Sequence, residues 1–357
     1  MSVSKRSFQL VAWIGILILG FVALACNGGS GSNSVNLQGA GATFPNPLYQ
    51  KWLSEYGHAH PNIKIDYQSI GSGGGIKQLK EQTVDFGASD SPMKEEDLKS
   101  APGEIVHVPT VLGAVVITYN LTGINQPLRF SSDVIADIFL GKIKKWNDPK
   151  IAADNAGVNL PATDITVVHR SDGSGTSAVF TDYLSKVSPE WKEKVGAGTS
   201  PSWPTGVGGK GNEGVTGQVK NTPNTIGYVE LAYAVQNKLP VAQVKNLSGN
   251  YVTPSIESVT SAASASAANT PEDLRVSITN ATGPQSYPIS SYTYILVYKN
   301  QKDAGKGKAL VDFLWWGIHD GEGFAKDLQY AALPADIVKR AEGKINSITA
   351  NGTALRQ

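Results

Sequence analysis

Three times in this chain a short β-prone run ends in glycine beside serine or threonine and passes directly into a helical pattern. The turns read GAGATF at 39–44, GSGGG at 71–75 and DGSGTS at 172–177. Strand, tight turn and helix in alternation commit a chain to an α/β fold, because each crossover lays a helix over the sheet it leaves. The flanking patterns agree. Residues 35–37 read as a strand, and Leu48, Tyr49, Trp52, Leu53 and Tyr56 recur at helical spacing in a helix opening near Pro45 or Asn46. IKIDY at 63–67 alternates as a strand does, 76–82 reads as a second helix, and VDFGA at 84–88 as a third strand. ITVVH at 165–169 is a strand that runs through the third turn into a helix over 176–186.

The stretch 105–120 is β-prone throughout although Pro109 and Gly113 interrupt it, long enough to leave one sheet and enter another. A second such run, 292–298, follows Pro284 and Pro288. Two crossings, near 109–113 and 284–291, predict a discontinuous first domain (35–112 with 287–357) and an inserted second one (113–286). The Ser/Ala-rich stretch 255–268 reads as a surface helix and linker, and no solenoid-length repeat is visible.

Residues 1–25 read as an export signal rather than as fold. Lys5 and Arg6 precede an uncharged apolar run over 10–25 that is short for a bilayer span. It ends at Cys26, the only cysteine, which leaves no partner for an internal disulfide. The run Ala23-Leu24-Ala25-Cys26 resembles the bacterial lipoprotein processing site, in which the Cys is lipidated, and residues 26–34 make a Gly/Ser/Asn tether. The whole chain carries 31 basic and 30 acidic side chains, and without Lys5 and Arg6 the balance is 29 to 30. Such neutrality lacks the basic excess of a nucleic-acid-binding surface.

The same three turns are where chemistry is expected. A helix start leaves backbone N–H groups unpaired and carries partial positive charge, glycine admits close approach, and a hydroxyl adds a donor. Phosphate and sulfate are held in this way. Any one turn is equally well a simple N-cap; three together, with Arg170 beside the last, point to an anion site. Arg170 offers a permanently charged planar fork, and Asp172 is placed to pair with it. Asp90 is the anomaly, since an ionised carboxylate only accepts hydrogen bonds. It fits phosphate, which keeps a proton near neutral pH, and opposes sulfate, which has none; otherwise it caps a helix starting near Met93.

Other patterns fail on context. GVGGKG at 206–211 matches a dinucleotide fingerprint but follows Pro201 and Pro204 rather than a strand, and no P-loop spacing occurs. Asp85-Phe86-Gly87 stands without the other kinase elements, and Ser174 without a nucleophile elbow. His58 and His60 have no third ligand near them in sequence, so neither a metal nor another cofactor is expected.

Taken together, these segments resemble the phosphate-binding protein family of the bacterial high-affinity phosphate ABC transporter. The likeness runs from about Gly39 to Leu333 and is carried by GAGATFPNPLYQKW, IGSGGGIKQ, TVDFGASDSPM, LGKIKKWNDPKI, HRSDGSGTSAVF, GGKGNEGV and IGYVELAYA, in that order. It implies a two-domain, periplasmic-binding-protein-like (Venus flytrap) α/β fold with phosphate in the cleft. Carried over residue by residue, the phosphate-binding set is Ala42, Thr43, Phe44, Ser72, Asp90, Arg170, Ser174, Gly175 and Thr176, with Asp172 orienting Arg170. The departure is Gly73, where many relatives carry Ser. The resemblance further implies a monomeric, non-enzymatic, extracytoplasmic receptor that delivers inorganic phosphate to a membrane-embedded ABC permease. Two other readings stand beside it: a secreted phosphatase of the same fold, and a receptor for another oxyanion.

Overall fold

The computed structural model describes residues 34–124 and 126–356; the expected export signal, Cys26 and nearly all of the expected tether lie outside them. The chain opens as β1 (Val35–Gly41), α1 (Asn46–Ala59), β2 (Ile63–Ser69), α2 (Ser72–Lys80) and β3 (Phe86–Ser89). In α1 the side chains of Leu48, Trp52 and Tyr56 fall four residues apart and are buried with Tyr49, and Trp52 Nε1 donates to the Gly321 carbonyl at 2.7 Å. Helix α2 starts at Ser72, four residues before the expected 76. Propensity makes GSGGG a loop, but packing overrides it: a Cβ at Gly75 would stand 2.5 Å from the Ala40 carbonyl oxygen. Only a glycine-faced helix lies that close to β1.

Strand β4 (Ile105–Asn120) covers the full predicted stretch and is buried almost end to end. After it come β5 (Thr166–Arg170), α3 (Gly175–Val187), β6 (Val207–Gly209), α4 (Gly211–Asn221), β7 (Thr225–Glu230), α5 (Leu231–Gln236), α6 (Ile256–Ser266) and β8 (Ser290–Tyr298). These strands form one eight-stranded sheet in the order β2-β1-β3-β8-β4-β7-β5-β6. Its two halves share β4. From Ile105 to Ala114 that strand pairs antiparallel with β8, and from Val115 to Asn120 antiparallel with β7. Pro109 has no N–H to give the ladder, and the register with β8 shifts beside it, between Thr293 and Tyr294.

Each half carries its own helices, which gives two lobes joined through β4 and the segment entering β8. The Val115 amide donates to the Ile289 carbonyl at 2.8 Å, so the two connections run side by side. Contact density does not part the lobes; Ser34–Gln357 forms one compact unit. Helix α6 is more than the expected surface helix and linker. A Ser255/Ser258 capping box starts it, and Val259, Ala262 and Ala263 are buried, packing it onto β4 and β8. Among the described residues no helix is long and apolar enough to cross a membrane.

Candidate functional site

All three turns meet at one place between the lobes. Thr43, Ser72, Asp90, Arg170, Ser174 and Thr176 are each at most 3% exposed, and none of them lies apart from the rest. From the first lobe comes the loop after β1, where three tyrosines take three successive carbonyls. Tyr67 donates to Ala42 at 2.7 Å, Tyr233 to Thr43 at 2.6 Å and Tyr330 to Phe44 at 2.6 Å. The Ala42 amide is spent on the Ala88 carbonyl at 3.0 Å, so Ala42 shapes the loop without a donor to spare. Among the described residues the amides of Thr43 and Phe44 have no acceptor.

Ser72 stands at the first position of α2, where its amide has no partner within the helix. Its hydroxyl faces Asp90, 3.3 Å from the Asp90 amide and 3.5 Å from Oδ2. Thr293 on β8 donates to Asp90 Oδ1 at 2.8 Å. Asp90 is not a helix cap, because the next helix spans Glu95–Ser100 and begins after Lys94 without a side-chain cap. Burial pushes the Asp90 carboxyl up to about 7, against smaller opposing effects of Thr293, Arg170 and Ser72.

The second lobe supplies the cation. Arg170, at the end of β5, grips Asp172 through Nε at 2.8 Å and a terminal nitrogen at 2.6 Å, and sends its other terminal nitrogen to Thr176 Oγ1 at 3.3 Å. Three of the five guanidinium N–H groups are used and two remain. Burial works against the Asp172 carboxylate, yet Arg170 and the Gly211 amide hold it below the usual range. Ser174 caps α3 by accepting from the Ser177 amide at 3.0 Å, and the amides of Gly175 and Thr176 are left unpaired at the helix start.

The lobes touch with no room to spare. The Gly73 amide donates to the Gly173 carbonyl at 2.8 Å. Gly71 has φ +88°, and a Cβ there would sit 2.4 Å from Asp172 Oδ2. A Cβ on Gly175 would meet Ser72 Oγ at 2.2 Å and Asp90 Oδ2 at 2.4 Å. Beside this contact a cleft of about 520 Å³ runs between α2 and α3 with Asp90, Ile76, Lys80, Ala178, Asp182 and Thr199 in its walls.

Residues 28–315 match the model of the PBP superfamily domain. A phosphate-binding protein PstS of Xylella fastidiosa is 49% identical over 312 residues, 87% of this chain and 85% of that protein. The chain belongs to the PstS family of phosphate-binding proteins. A Pasteurella multocida PstS is 47% identical over 90% of this chain and 93% of its own length. A solved phosphate-binding protein from Stenotrophomonas maltophilia shares the fold at a TM-score of 0.67 and 21% identity, over 87% of this chain and 93% of that one. These PstS relatives are named as binding proteins rather than enzymes.

Three parts of the candidate site in this PstS-family chain escaped the sequence reading. Asn212, fully buried at the start of α4, lies inside the quoted segment GGKGNEGV and follows a fourth strand–glycine–helix turn, whose strand Val207–Gly209 is too short and glycine-rich to read as one in sequence. Thr293 gave no signal, being a threonine in a β-prone run. Nothing in the sequence sets the tyrosines at 67, 233 and 330 apart; their part lies in their hydroxyl partners.

Proposed function

We propose that this chain is an extracytoplasmic receptor that captures inorganic phosphate between its lobes and passes it, chemically unchanged, to a membrane-embedded ABC permease. The observation carrying this reading is that unspent donors from both lobes converge on one buried carboxyl. The amides of Thr43, Phe44, Gly175 and Thr176, the hydroxyl of Ser174 and two N–H groups of Arg170 favour an oxyanion, and the Ser72 hydroxyl, held only at 3.5 Å by Asp90 Oδ2, lies beside them. Ionised, above about pH 7, Asp90 accepts from the ligand's own proton, which phosphate has and sulfate lacks, so a bare oxygen of sulfate would face an acceptor with no hydrogen between them.

The relatives' names and the likeness in fold support the phosphate reading. The proposed division is 35–112 with 287–357 for the first lobe and 113–286 for the second, close to the hand-over in β4 between Ala114 and Val115. Cys26 is the proposed lipid attachment, the tether holding a monomeric receptor at the outer face of the membrane. A phosphatase would need an activated nucleophile. Ser174 Oγ accepts from the Ser177 amide and has no base hydrogen-bonded to it among the described residues.

Calorimetric titration of the protein from residue 34 onward with phosphate and with sulfate tests the reading, alongside a phosphatase assay. Tight one-to-one phosphate binding, no sulfate heat and no phosphate release from an ester are expected. Equal binding of the two anions, or turnover, overturns it.

A further inference from the structure

Resting on the phosphate reading, we infer that Asn212 is a positioning residue that turns the Thr43 and Thr176 hydroxyls into obligate donors and thereby fixes the site's preference for an anion. The orientation of its amide is set by the backbone. Asn212 Oδ1 accepts the Glu230 amide at 2.9 Å, so Nδ2 faces the other way. From there it donates to Thr43 Oγ1 at 2.8 Å and to Thr176 Oγ1 at 3.1 Å, one threonine from each lobe. Both N–H bonds are thus committed.

Each hydroxyl then receives a second donor. The Asn212 amide reaches Thr43 Oγ1 at 3.2 Å, and an Arg170 terminal nitrogen reaches Thr176 Oγ1 at 3.3 Å. A hydroxyl oxygen has two acceptor positions and one hydrogen. With both acceptor positions filled, the only bond either threonine has left to make is a donation. Among the described residues nothing accepts from either hydroxyl, although Thr43 and Thr176 are buried. A buried donor without an acceptor is costly, so the arrangement waits for an acceptor between the lobes. It also explains why a neutral side chain is placed here. A carboxylate in the place of Asn212 would accept from both threonines, reverse both hydroxyls and set a negative charge against the anion.

The test ranks two substitutions by phosphate calorimetry, with thermal melts to follow folding. Asn212→Asp keeps size and the bond from Glu230, and is expected to weaken phosphate at least 100-fold. Asn212→Ala leaves a gap but frees the hydroxyls to rotate, and is expected to weaken it only about 10-fold. A space-filling role gives the opposite order, and that result, or an unchanged affinity in Asn212→Asp, overturns the proposal. A cycle supplies the second arm, since the effect must pass through the hydroxyls. In a Thr43→Val/Thr176→Val background, Asn212→Ala should change affinity less than 3-fold; a full 10-fold loss there refutes the mechanism even if Asn212→Asp does not fold. Failure of the unsubstituted protein to bind phosphate would instead remove the reading on which this rests.

Discussion

Asp90 and His107 are both buried and lean on the stability of the ligand-free protein in opposite senses. Burial holds the Asp90 carboxyl up near 7, so between about pH 4 and 7 the folded state binds more protons than the unfolded, and stability declines as pH rises. Burial drives His107 down to about 4, and its Nε2 accepts the Met93 amide at 3.0 Å. Over about pH 4 to 6.5 the unfolded state therefore binds the extra proton, and stability climbs with pH. The total change is on the order of 4 kcal/mol for Asp90 and 3 kcal/mol for His107. Asp90→Asn should remove one and expose the other: urea titrations without phosphate should show the variant gaining a few kcal/mol over its parent from pH 4 to pH 8. Parallel pH profiles for the two proteins would mean that Asp90 is ionised throughout. With ligand, the same variant should lose much of its preference for phosphate over sulfate. Arg170→Lys keeps a charge but not the fork that holds Asp172, and titration should show affinity lower by about 1–3 kcal/mol. Of these residues, Asp90 and Arg170 were legible because a charged group beside an anion-binding turn is chemically conspicuous. Thr293 and Asn212 were not, because their roles lie in which partner's lone pairs they fill.

At the scale of elements, the start of α3 decides whether the lobes can meet. Gly175→Ala would press a methyl onto Ser72 and Asp90 across the cleft, at separations no real Cβ tolerates. Its own backbone φ is negative, so the second lobe should fold normally with Ala. The expected result is an unchanged melting temperature without phosphate, within about 2 °C, with affinity down more than 100-fold. A large loss of stability instead would locate the cost inside α3. The elements themselves were largely readable: β4 begins and ends at the predicted residues, and α1, α3 and β8 differ by one or two. Helix α2 was misplaced at its start because three glycines advertise a loop, while the close approach to β1 that demands them is made by residues distant in sequence. Helix α6 was undervalued for a similar reason, its serines and alanines being small enough to pack against the shared strand.

For the whole molecule, the proposed phosphate donors are divided between lobes, so only the closed arrangement would contact phosphate from both sides and binding should favour it. Small-angle scattering is expected to show a smaller radius of gyration with phosphate than without, and no compaction in Gly175→Ala. Identical profiles for the unsubstituted protein with and without phosphate would speak against hinge closure. The sheet order has a further consequence, for assembly during synthesis. Strand β8 lies between β3 and β4, yet it begins only at Ser290. Until it arrives, the N-terminal half-sheet has a strand-wide gap, and β3 and β4 have no ladder in common. Loop closure across some 170 residues must precede that half's completion. A fragment ending at residue 285 should accordingly stay open to proteolysis, and the full chain should acquire resistance late and in one step. A keystone delivered near the C-terminus thus postpones completion of the fold until most of the chain has been made.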